Sequence, residues 1–199
     1  MGSIRLEALA DHHLPTVLAA CLDWQELSQY GAPYWRPRSI AELRRKITAA
    51  SGPQVASEYT FVIAAENEEA SNPRTDTTSA QINVNANANA GNPTLIGECS
   101  IHGIDWRNRI AQVGVCIWHP DDRHHGYGQA AAQQVAAWAF GYLGLFTLEA
   151  WIVEDNQSSL RLFEKLGFTY EGTLRGRYLQ GGISKAVVVL ARTVGDAAE

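Results

Sequence analysis

The chain reads Arg123-His124-His125-Gly126-Tyr127-Gly128-Gln129 between a predicted strand and a predicted helix. The strand ends at Trp118, and the helix begins near Gly128. Two glycines let the backbone turn tightly and expose its N–H groups, and the helix adds its positive N-terminal dipole. These features favour a bound anion, in particular a pyrophosphate. Taken alone, the stretch also fits a tight strand-to-helix turn, and it matches neither a Walker A loop nor the Rossmann fingerprint.

A second polar stretch, Asn156-Gln157-Ser158-Ser159, follows the next predicted strand and opens a helix that Gly167 ends. Polar side chains at such a junction can face a crevice at the strand ends. They can equally cap the helix that follows. Three apolar residues of this helix are most simply core: Leu160, Phe163 and Leu166.

Around these stretches the pattern predicts an α/β protein with a mixed sheet. Strands are expected over 4–9, 59–65, 94–101, 111–118, 145–153, 168–174 and 185–191. Helices are expected after Asp11, from Ser39 to about Ala50, and over 129–142 and 158–166. Ser39 with Glu42 three residues later forms a predicted capping box. The turn at residues 105–108 predicts a hairpin, and one crossover helix follows it.

Composition limits the class of protein. The chain has 199 residues, 46% of them hydrophobic, which suits one globular domain. We expect no membrane contact, because no run approaches about 18 uncharged apolar residues and the N-terminus lacks a basic-then-apolar signal. The net charge of -5 argues against a nucleic-acid surface. Three widely spaced cysteines suggest no disulfide framework, and a cytoplasmic location is expected.

One segment departs from this composition. Residues 67–93 hold seven asparagines and no aromatic residue, so they cannot bury enough apolar area to offset their ordering entropy. We predict a disordered or mobile insertion between two strands, with a substrate lid as the alternative. The predicted organisation is therefore a single domain over 1–192, interrupted at 67–93, with a flexible tail over 193–199.

In this order, the two stretches resemble the GNAT N-acetyltransferase superfamily. The first is similar to its acetyl-CoA loop, Q/R-x-x-G-x-G/A, and the second to its N-x-x-S segment followed by Gly-Phe. Within the superfamily, the Rim-type enzymes that acetylate protein N-terminal amines are most similar, on an ending that here reads Gly167-Phe168-Thr169-Tyr170-Glu171-Gly172-Thr173-Leu174-Arg175. The resemblance covers nearly the whole chain except the insertion.

The resemblance implies the GNAT fold, in which the fourth and fifth strands splay apart and helices flank the sheet. The pantetheine arm of acetyl-CoA, the expected co-substrate, would enter this opening. The cofactor-binding residues it implies are Ile117, Trp118, Arg123, His124, His125, Gly126, Tyr127, Gly128, Gln129, Asn156 and Phe163. Backbone groups near Ile117 and Trp118 would bond the arm, loop N–H groups the pyrophosphate, and Asn156 the pantetheine or thioester region.

Two departures from the family pattern affect the expected chemistry. Many members carry a proton-donating Tyr where this chain has Phe163, and Ser159 is the expected substitute. Many also carry a Glu base near the position of Gln112, which cannot act as a base. The candidates left are Glu98, Asp105, Glu149 or a water chain. Glu98 leads, because a carboxylate within an apolar strand is unusual unless it is used.

Four aromatic residues fall where GNAT enzymes place acceptor-side loops, so they are expected either to line the acceptor pocket or to pack under a long loop: Trp24, Tyr30, Tyr34 and Trp35. His119, His124 and His125 with two nearby aspartates match no standard ligand set, and we expect no metal.

The expected activity is transfer of acetyl from acetyl-CoA to a primary amine by direct attack, with a protein N-terminus as a candidate acceptor. The alternatives are a small amine, such as a polyamine or an aminoglycoside, and a non-catalytic acyl-CoA-binding sensor. The expected partners are acetyl-CoA and the acceptor, and the protein is expected to be a monomer or a homodimer.

Overall fold

A computed structural model describes residues 3–31, 34, 36–66 and 93–196. Seven strands form one sheet in the order β1-β2-β3-β4-β5-β7-β6. The strands are β1 (Ile4–Ala8), β2 (Glu58–Ala65), β3 (Thr94–Asp105), β4 (Ile110–Ile117), β5 (Thr147–Val153), β6 (Thr169–Gln180) and β7 (Ile183–Thr193). All neighbouring strands are antiparallel except β4 and β5. The predicted mixed α/β sheet is confirmed.

Helices cover both faces of this sheet. They are α1 (Leu14–Ala20), α2 (Trp24–Leu27), α3 (Ile40–Ala49), α4 (Tyr127–Gly141) and α5 (Gln157–Lys165). Apolar residues of α4 and α5 pack on one face with β3, β4 and β5. Residues of α1, α2 and α3 form a second cluster on the opposite face. Burying both faces excludes water from the middle of the sheet and leaves its strand ends as the place for a site.

The helix and strand ends follow local chemistry. The Ser39 hydroxyl accepts the Glu42 N–H at 3.2 Å, so the predicted cap of α3 is confirmed. The hairpin between β3 and β4 is also confirmed, since Asp105 pairs with Ile110. Several strands are longer than expected: β3 reaches Asp105, and β6 reaches Gln180.

The extra length of β6 comes from a tight hairpin. Gln180 pairs with Ile183, so Gly181 and Gly182 form a two-residue loop. Both glycines have positive φ, +56° and +80°, which this kind of turn requires. Near this end of β6, the Tyr178 hydroxyl donates to the Ser28 carbonyl at 2.9 Å.

Two predictions concern segments that lie partly outside the described residues. The Asn-rich insertion lies outside the described residues except for Pro93. In the first part of the predicted tail, Thr193 closes β7 and Val194–Asp196 form a 3-10 turn, and residues 197–199 lie outside the described residues. All three cysteines are buried free thiols, Cys21, Cys99 and Cys116. No helix among the residues described here is long and apolar enough to cross a membrane.

Candidate functional site

A cavity of about 380 Å³ lies where the end of β4 meets the starts of α4 and α5. It is lined by Gln29, Tyr30, Val115, Ile117, Asp122, Arg123, His124, Gly126, Tyr127, Gly128, Gln129, Asn156, Ser158, Ser159, Arg161, Leu162 and Lys165. The two polar stretches, residues 123–129 and 156–159, thus meet in one place. The crossover through α4 brings them together, because it returns the chain to β5 beside β4.

The cavity opens from a gap between β4 and β5. These strands pair only from Ile110 with Thr147 to Gln112 with Glu149, and no pairing follows. The Trp118 N–H donates to the Ile96 carbonyl on β3 at 3.0 Å. Because backbone groups alternate sides along a strand, those of Val115 and Ile117 turn towards the gap. A linear ligand with amide groups can add to β4 there as a strand would.

This geometry corrects one expectation. The backbone N–H of Trp118 is hydrogen-bonded to β3, and the Trp118 side chain is buried and absent from the cavity lining. The backbone groups available for a strand-like ligand are those of Val115 and the Ile117 N–H, since the Ile117 carbonyl accepts from Arg123. Sequence reasoning named Ile117 and missed Val115, although strict alternation from Ile117 points to it.

The N-terminus of α4 forms the second wall of the cavity. Its N-cap is Gly126, with φ +85° and no side chain that accepts a hydrogen bond from the first turn. His124 also has positive φ, +65°, which is strained for a residue with a Cβ. The first N–H groups of the helix, from Tyr127 to Gln129, therefore lack a side-chain cap and face the cavity. Partial positive charge at this end suits an anion.

Arg123 has a different role from the expected one. Its guanidinium donates to both Glu26 oxygens at 2.6 and 3.0 Å. It also donates to the carbonyls of Ile117 and Trp118 at 3.1 and 2.8 Å. The same group lies over the Tyr30 ring at 5.4 Å. Four of its five donors are thus committed to protein groups, so Arg123 ties α2 to the end of β4 rather than standing free for a phosphate.

The α5 residues divide between cavity and core. Asn156 Oδ1 accepts the Ser159 N–H at 3.1 Å and caps the helix, which leaves its amide NH₂ to donate into the cavity. The Ser159 hydroxyl lies beside it in the lining. Phe163 packs against Phe168, with ring centroids 5.1 Å apart, and is 3% exposed. Phe163 is therefore a core residue and does not line the cavity, contrary to its expected place beside the cofactor.

Other predicted contacts also fall outside the lining. His125 is exposed and hydrogen-bonds the Asp121 carbonyl at 3.1 Å. Asp105 lies in the hairpin turn, where it accepts from Asn108.

The lining also contains residues that sequence reasoning did not assign to the cofactor side: Gln29, Tyr30, Val115, Arg161, Leu162 and Lys165. Arg161 and Lys165 are four residues apart on α5. This spacing places them on one helix face, and it is the sequence pattern that could have indicated them.

The acceptor-loop aromatic residues separate in the structure. Tyr30 lines the cavity, and burial raises the pKa of its hydroxyl to about 12, so it stays protonated at neutral pH. Tyr34 is instead buried in the core cluster of α1, α2 and α3. Trp24 is half-buried in α2, and Trp35 lies outside the described residues.

Glu98 belongs to a buried ionic network and does not line the cavity. Arg38 Nη1 lies 2.6 Å from Glu98 Oε1, and the Tyr34 hydroxyl donates to the same oxygen. Arg38 Nε lies 3.2 Å from Glu42 Oε1. The ion pair explains why a carboxylate occurs in this apolar strand, because a buried charge needs an opposite charge beside it. As placed, Glu98 has no access to a substrate in the cavity.

One group of three possible metal ligands occurs among the described residues: Glu7, His12 and His13. The Ala10 N–H donates to His13 Nδ1 at 3.1 Å, so the ring proton sits on Nε2, 3.3 Å from Glu7 Oε2. Burial lowers the pKa of His13, which keeps the ring neutral. Nε2 then has no free lone pair for a metal, and the group holds the start of α1 against β1.

Comparison with known proteins identifies a family. Residues 3–169 match the family model described as Acetyltransferase (GNAT) domain. An uncharacterized N-acetyltransferase of Bacillus subtilis, YoaA, is 34% identical over 88 residues, which are 44% of this chain and 49% of that protein. An N-acetyltransferase 9-like protein of Caenorhabditis briggsae is 43% identical over 60 residues, 30% of each chain. The aligned part spans about half or less of these curated relatives.

Solved structures show the same fold at low identity. A spermidine N-acetyltransferase from Vibrio cholerae, in complex with CoA and spermine, has a TM-score of 0.73 at 17% identity and covers 97% of this chain and 96% of its own. RimL, a ribosomal L7/L12 alpha-N-protein acetyltransferase in complex with coenzyme A, has a TM-score of 0.75 at 18% identity and covers 98% and 96%. The two neighbours differ in the amine their names give and share CoA, so Rim-type closeness is not established.

Proposed function

Because the chain belongs to the GNAT acetyltransferase family, we propose that it transfers acetyl from acetyl-CoA to a primary amine. The amine attacks the thioester directly, and coenzyme A leaves as its thiol. One observation carries the proposal: the gap between β4 and β5 and the uncapped N-terminus of α4 open into the same cavity. An acyl-pantetheine arm and a pyrophosphate need these two features side by side.

The residues of the cavity fit this co-substrate. The Val115 backbone groups and the Ile117 N–H would bond the amides of the pantetheine arm, and the first turn of α4 would hold the pyrophosphate. Arg161 and Lys165 in the lining add positive charge for the remaining phosphate oxygens. Metal ligands play no part in this arrangement.

Asn156 and Ser159 are the side chains we assign to the reacting end. The Asn156 amide donates to the pantetheine or the thioester region. The Ser159 hydroxyl donates to the sulfur as the C–S bond breaks, which Phe163 cannot do from the core. A hydroxyl is a weak acid, so its contribution is a hydrogen bond to the thiolate that forms.

The acceptor is a primary amine, and two classes are supported by neighbours of the same fold. RimL acts on a protein N-terminus, and the Vibrio cholerae enzyme is named for spermidine. A non-catalytic acyl-CoA sensor is the second candidate function, and the placement of Phe163 in the core favours it.

A titration of the purified protein with acetyl-CoA, coenzyme A and ATP tests the binding. We expect micromolar affinity for acetyl-CoA and coenzyme A and weaker binding of ATP, which lacks the pantetheine arm. Thiol release is then measured with spermidine, a peptide with a free N-terminal alanine, and kanamycin. Release with one class identifies the acceptor. Binding without release favours the sensor, and absence of acetyl-CoA binding rejects the proposal.

Ser159→Ala and Asn156→Asp test the reacting end. Each is expected to lower kcat more than tenfold, because one hydrogen bond to developing charge is worth about 10²–10³ in rate in comparable sites. Asn156→Asp keeps the oxygen that caps α5, so its stability is retained while the amide donor is lost. Gln157→Ala, which changes an exposed residue outside the lining, serves as the matched control. Equal kcat values for all four proteins would reject both roles.

A further inference from the structure

A row of polar side chains crosses four strands in register. Glu58 on β2 pairs with His102 on β3, His102 pairs with Gln112 on β4, and Gln112 pairs with Glu149 on β5. Residues paired in this way project from the same face of a sheet. It is the face opposite α4, because the neighbouring Leu148 packs in the α4 cluster. We call these four residues the cross-strand row.

The row ends where β4 and β5 separate. Gln112 and Glu149 are the last pair of the parallel ladder, so they close the narrow end of the gap. Val115, which lines the cavity, is three residues further along β4, about 10 Å at the rise of a strand. The row therefore stands at the inner end of the path that a pantetheine arm would follow.

Two other elements lie beside β5. The 3-10 turn Ser28–Tyr30 contacts β5. The β6–β7 hairpin holds the same turn, since Tyr178 donates to the Ser28 carbonyl and Gln180 Nε2 lies 3.0 Å from the Ser28 hydroxyl. Tyr30 of this turn lines the cavity, so the turn and the hairpin stand at the cavity side of the gap.

Glu149 is the acidic member of the row at the gap. It is half-buried, and its Oε2 accepts the Trp151 indole N–H at 2.7 Å. Within the described part of the chain it forms no ion pair. A half-buried carboxylate without a protein cation beside it favours a positively charged ligand group.

The other three residues of the row do not neutralise the charge of Glu149. Burial lowers the pKa of His102, while Glu58 opposes this shift, and Gln112 hydrogen-bonds the ring. Glu58 is paired with Lys46. Arg177 lies over the Trp151 ring, with its guanidinium carbon 5.2 Å from the ring centroid. A neutral imidazole and a neutral amide thus separate Glu149 from the Lys46–Glu58 pair.

We propose that Glu149 binds the ammonium group of the acceptor and takes its proton, which makes it a catalytic residue of the transfer. The inference rests on the proposed function and adds the base and the charge class of the acceptor. One N–H proton of the ammonium passes to the Glu149 carboxylate, and the freed lone pair forms the C–N bond to the thioester carbon. The C–S bond then breaks, and the thiolate takes the second proton from the same nitrogen. Gln112 and His102 position this end of the row.

Glu149→Gln tests the proposal, because the amide keeps an oxygen for the Trp151 N–H and removes the charge. We expect kcat/KM for the amine to fall about 100-fold, in the range of general-base catalysis, and the acidic limb of its pH profile to disappear. Glu149→Asp should restore part of the rate and the limb. The exposed Glu171→Gln on β6 makes the same charge change and should behave as wild type.

The Kd for coenzyme A and the unfolding temperature, measured for each variant, separate this role from folding and from cofactor binding. Unchanged coenzyme A binding with the expected loss of rate supports the proposal. A wild-type pH profile in Glu149→Gln overturns it. It is also overturned if the coenzyme A complex binds none of the three panel amines. If the wild type does not bind acetyl-CoA, the proposed function itself is overturned.

Discussion

Arg38→Ala is expected to lower the free energy of unfolding by about 3–5 kcal/mol, because it leaves the buried Glu98 carboxylate without its cation. Glu42 keeps a second cation, since Arg36 Nη1 lies 3.0 Å from its Oε2. The Arg38 side chain is 1% exposed, and those of Glu98 and Glu42 are 7% and 8% exposed. Arg38 contacts both carboxylates, while Tyr34 supplies only a neutral donor to Glu98. Glu98 Oε2 has no hydrogen-bond partner within the described structure, so the pair depends on the Arg38 charge.

Urea denaturation of Arg38→Ala, Glu98→Ala and the double variant measures the pair directly. The double variant should lose less stability than the sum of the single ones, because each single change leaves an unpaired buried charge. Arg44→Ala provides the control: Arg44 pairs with Asp11 at 3.1 Å, but both side chains are about two-thirds exposed. Its expected cost is below about 1 kcal/mol. Similar losses for Arg38→Ala and Arg44→Ala would contradict the buried network.

Gly128→Val is expected to weaken acetyl-CoA binding more than 100-fold, which is at least about 2.8 kcal/mol at 1.4 kcal/mol for each factor of ten. A Cβ at Gly128 would lie 3.4 Å from Leu162 Cδ1 and 3.6 Å from Ile117 Cγ1, in ordinary contact, so the backbone tolerates it. The two methyl groups beyond it would enter the space between the α4 N-terminus and the end of β4. They would cover the N–H groups proposed for the pyrophosphate and narrow the gap.

Calorimetric titration measures the Kd of the variant for acetyl-CoA, and thermal unfolding shows whether the variant is folded. Gly141→Val is the matched control, because Gly141 lies on the same helix and a Cβ there meets nothing within 4 Å. The control should bind acetyl-CoA as the wild type does. Undiminished binding by a folded Gly128→Val protein would show that acetyl-CoA does not use the start of α4.

Local sequence signals predicted the secondary structure that depends on neighbouring residues. The Ser39 cap, the hairpin at Asp105 and the crossover helix after β4 were all predicted, because each depends on side chains within a few positions of one another. The family could be inferred for the same reason, since its two motifs are short runs of sequence. The strands that extend past their apolar cores, such as β6, were underestimated because hairpin pairing, not hydrophobicity, sets their ends.

The functions of individual charged residues could not be inferred in this way. Glu98 was expected to act as a base, yet its partner Arg38 is 60 residues away in sequence. Arg123 was expected at a phosphate, yet its carboxylate partner Glu26 is 97 residues away. A charged side chain has several possible partners, and only the folded chain decides which one lies within hydrogen-bond distance.

The sequence by itself determined the order of helices and strands, the family and the glycine-marked start of α4, because these follow from periodicity, glycine placement and capping over short spans. Tertiary structure alone decided where β4 and β5 separate, which backbone groups of β4 face the gap, and which carboxylates are neutralised inside the protein. It also placed Glu149 beside Gln112 at the end of the gap. These features depend on strand register and on contacts between distant segments, which no local pattern specifies.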